Sequence, residues 1–170
     1  MTPRVALLRA VNVGGTGALP MAALKALGEA CGFAHARTYI ASGNLLFASD
    51  LEEREIKALL EARLHDHFGR TVEVFVRSAA ELDAIVAANP FPDAHGSHHM
   101  VFFHDTAPPP DLIAQCRDRN GERLALTGRE LHVDYGAGIR TTRLKIPGKT
   151  ARTARNINTV RKLAQLLHQV

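Results

Sequence analysis

Residues 71–77, TVEVFVR, alternate between two faces without a break. A period of two over seven residues fits a half-buried strand and no helix. Val72, Val74 and Val76 point one way, and Glu73, Phe75 and Arg77 the other. What precedes this strand narrows the fold further. Val5 to Val11 is nearly continuous apolar and suits a central strand. After a glycine-rich stretch, Pro20 stands at a first helical position, Met21, Leu24 and Leu27 follow at helical spacing, and Gly32 is a stop. ARTYIASGNLLFAS, residues 36–49, reads as two strands around a tight Gly43-Asn44 turn. Asp50, with Glu53 three residues on, opens a second helix that buries Ile56, Leu59, Leu60 and Leu64 and ends at Gly69. The order is strand, helix, strand, strand, helix, strand, so residues 1–77 are expected to form a ferredoxin-like βαββαβ subdomain. Both helices would cover one face of its sheet. The other face is solvated or packed against the rest of the chain.

Ser78 and Glu81 cap a connecting helix, residues 78–90, that stops at Asn89-Pro90. Residues 91–170 are expected to form a smaller second α+β subdomain. A His-rich loop leads to the strand HHMVFFH (98–104), and a Pro-rich turn leads to a helix from Asp111. Two strands, ERLALT and RELHVDY, hinge at Gly128. The last element reads as a helix over 154–169 with Ile157, Val160, Leu163 and Leu167 as its apolar stripe. No internal sequence repeat and no low-complexity tract interrupts this order.

Apolar residues make up 46% of the 170-residue chain, enough for a proper core, and no apolar run approaches the ~20 residues that cross a bilayer. Arg9 interrupts the apolar opening, which reads as a strand rather than a signal peptide. Cys31 and Cys116 form no C-x-x-C pair, so no disulfide framework is indicated and a cytoplasmic location is expected. The net charge of +4 is less informative than its distribution. Residues 136–170 hold eight of the 21 cations and no acid, which leaves 13 cations against all 17 acids in the rest of the chain. A mildly acidic body with a basic C-terminal segment raises the expectation of an anionic partner.

Three stretches carry a resemblance to a known family: LLRAVNVGG (7–15), TYIASGNLLF (38–47) and TARNINTVRKL (153–163). On these the chain resembles the bacterial "domain of unknown function 1697" family. The resemblance implies a two-part α+β fold with a ferredoxin-like N-terminal part, and it implies no activity. The chain departs from the family pattern at Ile157, where the family more often has Trp.

The candidate ligand-binding residues fall in two places. Gly14, Gly15 and Gly17, after Asn12, lead into a helix whose free amides and positive dipole end suit an oxyanion. A permissive turn is the plainer reading. The stretch fits neither G-x-G-x-x-G nor the Walker pattern, and Gly148-Lys149-Thr150 lacks the glycine that pattern needs at position 143. No cofactor is expected. At the other end Lys149, Arg152 and Arg155 are expected to crowd the entry of the last helix with no local acid, whereas three other helices start with acids. Asn156 and Asn158 add neutral donors there, although Asn156 also suits an N-cap. Arg9 reads as one half of an ion pair or a ligand contact, and Asn44 as a turn residue or a further donor. His95, His98 and His99 lack metal-ligand spacing, so no metal is expected, and no nucleophile-base signature is present.

Two functions accord with these residues. The first is binding of a polyanion, either a phosphate-bearing molecule or a nucleic-acid backbone, through the glycine loop and the basic segment. Few aromatics are present, so base stacking would be poorly supplied and phosphate contacts would dominate. The second is an enzyme holding a phosphorylated or carboxylated metabolite between the subdomains, with Arg9, Asn12, Asn44 and Asn156 converging on it. No membrane partner is expected, and the sequence leaves the oligomeric state open.

Overall fold

The computed structural model describes residues 1–13, 18–148 and 150–170. The expected loop residues Gly14, Gly15 and Gly17, and the expected cation Lys149, lie outside the described residues. The chain divides into two compact units: Met1–Asp83 with Lys162–Val170, and Ala84–Arg161. The C-terminal nine residues therefore group with the first unit, where a second subdomain over 91–170 had been expected.

In the first unit β1 (Thr2–Leu8), α1 (Met21–Ala30), β2 (Ala34–Thr38), β3 (Asn44–Ser49), α2 (Glu53–Phe68) and β4 (Val74–Ser78) follow the βαββαβ order. The sheet runs β2-β3-β1-β4, all antiparallel, which is the split arrangement that this element order predicts. One sheet face (Ala6, Leu8, Leu45, Phe47, Val74, Val76) packs with Leu24 of α1 and Ile56, Leu60 and Leu64 of α2 in a single core. Each such side chain contributes about 1.5–3 kcal/mol when fully buried. The second face is closed too: Val5, Leu7, Leu46, Phe75 and Arg77 are fully buried. Of the two alternatives for that face, the structure selects packing.

Local chemistry displaces several boundaries. β1 ends at Leu8, three residues before the expected Val11, because the chain turns at Ala10 and Asn12, both at positive φ. The hairpin carries no tight Gly43-Asn44 turn. Residues 39–43 connect the strands, Ile40 (φ 52°) and Gly43 (φ 89°) take the left-handed positions, and Asn44 is the first residue of β3. The capping box of α2 also shifts by two residues, from Asp50 and Glu53 to Glu52 and Glu55. The Ser49 hydroxyl accepts from the Leu51 amide at 3.1 Å, so the turn continues before the helix starts, and Asp50 pairs instead with the N-terminal ammonium at 3.3 Å. The box at Ser78 and Glu81 forms as expected, with reciprocal bonds of 2.9 and 3.2 Å at the start of α3 (Ala79–Ala87).

The second unit contains β5 (His99–His104), α4 (Leu112–Gln115), β6 (Arg123–Thr127), β7 (Glu130–Asp134), a 3₁₀ turn (Gly136–Arg140) and β8 (Arg152–Asn156), with α5 (Ile157–Leu167) starting in it. Its sheet order is β6-β7-β5-β8, again antiparallel throughout. Leu112, Leu131 and Val133 centre a core that includes Phe102, Leu124, Leu144 and Ile146. β8 corrects the expectation of a helix from Ala154. Residues 152–156 pair with Met100–His104, and α5 begins only at Ile157. The apolar stripe of α5 holds, since Ile157, Val160, Leu163 and Leu167 are all buried.

Candidate functional site

Of the cations expected at the entry of the last helix, Arg152 and Arg155 lie on β8, where alternate residues point to opposite faces. Arg152 donates from Nη1 to the carbonyl of Pro147 at 3.2 Å and from Nη2 to that of Ile146 at 2.5 Å. Arg155 is 6% exposed, and its Nη1 donates to Thr153 Oγ1 at 2.9 Å and to the Ala154 carbonyl at 2.8 Å. Burial pushes the Arg155 pKa down to about 10, so it stays charged at neutral pH. Asn156 caps α5, its Oδ1 accepting from the Thr159 amide at 2.9 Å. Asn158 is seated against Gly96, where a Cβ would collide with its amide. The crowding of cations at this helix start is therefore corrected to a strand whose two arginines are held by carbonyls and a hydroxyl.

In the first unit, Arg9 lies just past β1 and pairs with Glu73 at 2.7 Å, as the ion-pair reading expected. The Asn12 side chain donates to the carbonyls of Leu19 and Ala41, each at 2.9 Å, and accepts from the Leu19 amide at 2.6 Å. It thereby ties residue 12 to the far side of the glycine stretch and to the β2–β3 connection. Asn44 is fully buried and donates to the Tyr39 carbonyl at 2.8 Å and to Ser42 Oγ at 3.1 Å, an internal clasp for that connection.

The histidines sort differently from the sequence pattern. His99 Nε2 lies 2.9 Å from His132 Nδ1, and His132 Nε2 lies 3.0 Å from Thr127 Oγ1. Both rings are fully buried, and Phe91 packs edge-on against His99. Burial lowers the His99 pKa and takes that of His132 down to about 4. Both are neutral at pH 7. Among the described residues, no three His, Cys, Asp or Glu side chains gather as a metal-holding group.

An open concavity of about 680 Å³ lies in the second unit, between the turn at 118–122 and the stretch 138–145. Paired backbone bonds between Arg117 and Lys145, 3.0 and 2.9 Å, fasten the two segments together. The turn is made by Asp118 (φ 55°) and Gly121 (φ 85°). Glu122 is its internal brace: the carboxylate accepts from the Asn120 amide and from Thr142 Oγ1 at 2.7 Å, and these bonds hold its pKa below the usual carboxylate range. Arg119 donates to the Glu122 backbone carbonyl at 3.3 Å, and Lys145 reaches Asp118 at 3.5 Å. Arg143 is exposed on the wall and has no hydrogen-bond or ion-pair partner among the described residues. The groove thus offers guanidinium groups, an ammonium and the carboxylate of Asp118, while the hydroxyls of Thr141 and Thr142 on its wall already donate to the Gly138 carbonyl and to Glu122. Sequence reading counted Arg143 and Lys145 in the basic segment but did not single them out, and it missed Arg119. The one local signal was the D-R-N-G run at 118–121, a turn composition with a cation at its tip.

Two linked antiparallel sheets with helices, and a basic groove in the second unit, define an α+β protein of two repeating halves. The chain belongs to the family described as "Protein of unknown function (DUF1697)", whose model matches residues 1–132. It is similar in fold to the conserved bacterial protein SP0830 from Streptococcus pneumoniae, with a TM-score of 0.80 and 21% identity over 98% of each chain. No curated protein matches it. No helix among the described residues is long and apolar enough to cross a membrane.

Proposed function

We propose that this protein binds a phosphate-bearing anion, and that the groove between residues 118–122 and 138–145 receives it. The observation that carries this reading is Arg143, an exposed guanidinium without a partner among the described residues, on the wall of a concavity that also holds Arg119 and Lys145. A guanidinium matches the oxygens of a phosphate in two parallel bonds. The basic C-terminal segment supports the reading as the source of the positive field. Arg152 and Arg155 serve it only indirectly, since they are engaged in holding β8 and the segment before it.

Calorimetric titration with inorganic phosphate tests this directly. Binding is expected to weaken as salt rises, because exposed charges are screened within about 10 Å at 0.1 M ionic strength. The Arg119→Ala/Arg143→Ala variant is expected to weaken it at least about tenfold, since charge-assisted bonds contribute roughly 1.5–3 kcal/mol each. Binding that ignores both salt and this variant would remove the groove from consideration.

A further inference from the structure

The groove carries more than positive charge. Asp118 and Glu122 line it beside Arg119, Arg143 and Lys145. These two acids have different standing. Glu122 is spoken for, with its oxygens bonded to Asn120 and Thr142. Asp118 is not enclosed in this way: its side chain is 55% exposed, and Lys145 approaches it at 3.5 Å. An ionised carboxylate only accepts hydrogen bonds, so what it can recruit from a ligand is a donor.

A ligand for this surface therefore needs an anionic end and hydroxyl donors within one small molecule. A nucleic-acid backbone or a polyphosphate repeats its negative charge along its length and would meet Asp118 as a like charge. Among the described residues that line the groove none is aromatic, so they give a nucleobase nothing to stack on. The volume of about 680 Å³ falls among clefts that enclose small molecules, roughly 300–1,000 Å³. Resting on the phosphate reading above, we propose that the groove takes a phosphorylated sugar or polyol, its phosphate on Arg119 and Arg143 and its hydroxyls on Asp118. Asn120 and Thr141, at the same rim, supply further neutral donors and acceptors to a polyhydroxylated chain.

The position of Asp118 has a plainer explanation that the test must separate. Its φ of 55° is one that Asp and Asn adopt more readily than other side chains, so turn geometry alone can account for it. Asp118→Asn keeps that tolerance and removes the charge. The experiment is an amide-resolved NMR titration of the full chain with inorganic phosphate, glycerol 3-phosphate, glucose 6-phosphate and a short oligothymidylate.

At least one of the two organic phosphates is expected to bind about tenfold or more tightly than inorganic phosphate, shifting the amides of Asn120, Gly138 and Thr142. In Asp118→Asn that advantage is expected to vanish, while inorganic phosphate binds as well as before or better. If inorganic phosphate and both organic phosphates bind alike, the hydroxyl role is wrong and the phosphate site survives. Equal weakening of all of them by Asp118→Asn likewise overturns the assignment of Asp118. Tighter binding of the oligothymidylate than of either organic phosphate replaces the small molecule with a nucleic acid. If nothing shifts the groove amides, this proposal and the phosphate reading fall together.

Discussion

The buried His99–His132 pair should make the folded chain lose stability between about pH 6.5 and pH 4, and the size of the loss follows from the structure. Burial lowers the pKa of His132 from 6.5 to about 4, with the neighbouring His99 adding in the same direction. For His99, burial is the largest cause of a lowered pKa; Asp134 opposes it, and Arg161 and Arg123 reinforce it. Below pH 6.5 the unfolded chain takes up protons on both residues, while folded His132 stays neutral until about pH 4. The unfolded state therefore binds more protons across this window, and stability falls as pH falls. One pKa unit corresponds to about 1.4 kcal/mol, so His132 alone accounts for roughly 3 kcal/mol. That is a substantial share of the ~5–15 kcal/mol by which a domain is stable. The geometry agrees, because the 2.9 Å bond between the rings needs one nitrogen as acceptor, and double protonation leaves none. The assay is urea unfolding at several pH values from 7.5 to 4.5 for the wild type and His132→Gln. The wild-type midpoint should fall steeply through the window, and the variant should show a shallower slope by about 1.4 kcal/mol per pH unit. Parallel slopes would refute the reasoning. If the variant does not fold, NMR titration of the wild-type His132 ring decides: a midpoint above pH 6 refutes it equally.

Two further perturbations test the local architecture. Gly43 has a φ of 89°, and a Cβ there would approach Val11 Cγ2 to 2.6 Å, so Gly43→Ala should destabilise the chain by at least about 1–3 kcal/mol in thermal or urea unfolding. Ser78→Ala and Asn156→Ala each remove a helix N-cap and should each cost about 1 kcal/mol, with nearly additive losses in the double variant if the two caps act independently.

The first unit was legible because its signals are local. Glycine stops, a capping-box composition and a seven-residue alternation each act within a few residues, and they specify the type and order of the elements, while the ends shift: the alternation over 71–77 is a strand at Val74–Ser78. What escaped was decided by partners distant in sequence. Thr153, Ala154 and Arg155 have no strand signature of their own; they are a strand because Phe103, Phe102 and Val101 lie opposite them. Asn12 read as a candidate ligand contact, yet its side chain is bonded to Leu19 and to Ala41, 7 and 29 positions away. The groove was illegible for the same reason. Arg119 and Arg143 are 24 positions apart, and it takes the Arg117–Lys145 bridge and the Thr142–Glu122 bond to bring them to one surface. Charge counting found the basic segment but had no means of separating cations committed to carbonyls from one left exposed.

The two units also repeat one another in a way that side chains conceal. In each, the first strand is central, pairs with the third and fourth, and leaves the second at the edge. Val5 faces Arg77 across the first sheet in the position that Val101 and Arg155 occupy in the second. Both arginines donate Nη1 to the carbonyl of the preceding residue, at 2.9 and 2.8 Å, and the residue after each caps the next helix. Register is thus shared while composition is not. Leu46, opposite Val5, corresponds to His132, opposite Val101, and Phe75 corresponds to Thr153. A sheet fixes which positions face each other but not what fills them, so long as the face is buried. The first unit fills that face with Val5, Leu7, Leu46 and Phe75 around its arginine, whereas the second places His99, His132 and Thr153 there. This substitution of titratable groups for hydrocarbon is why acid should act on the second sheet, and why a shared topology left no repeat in the sequence.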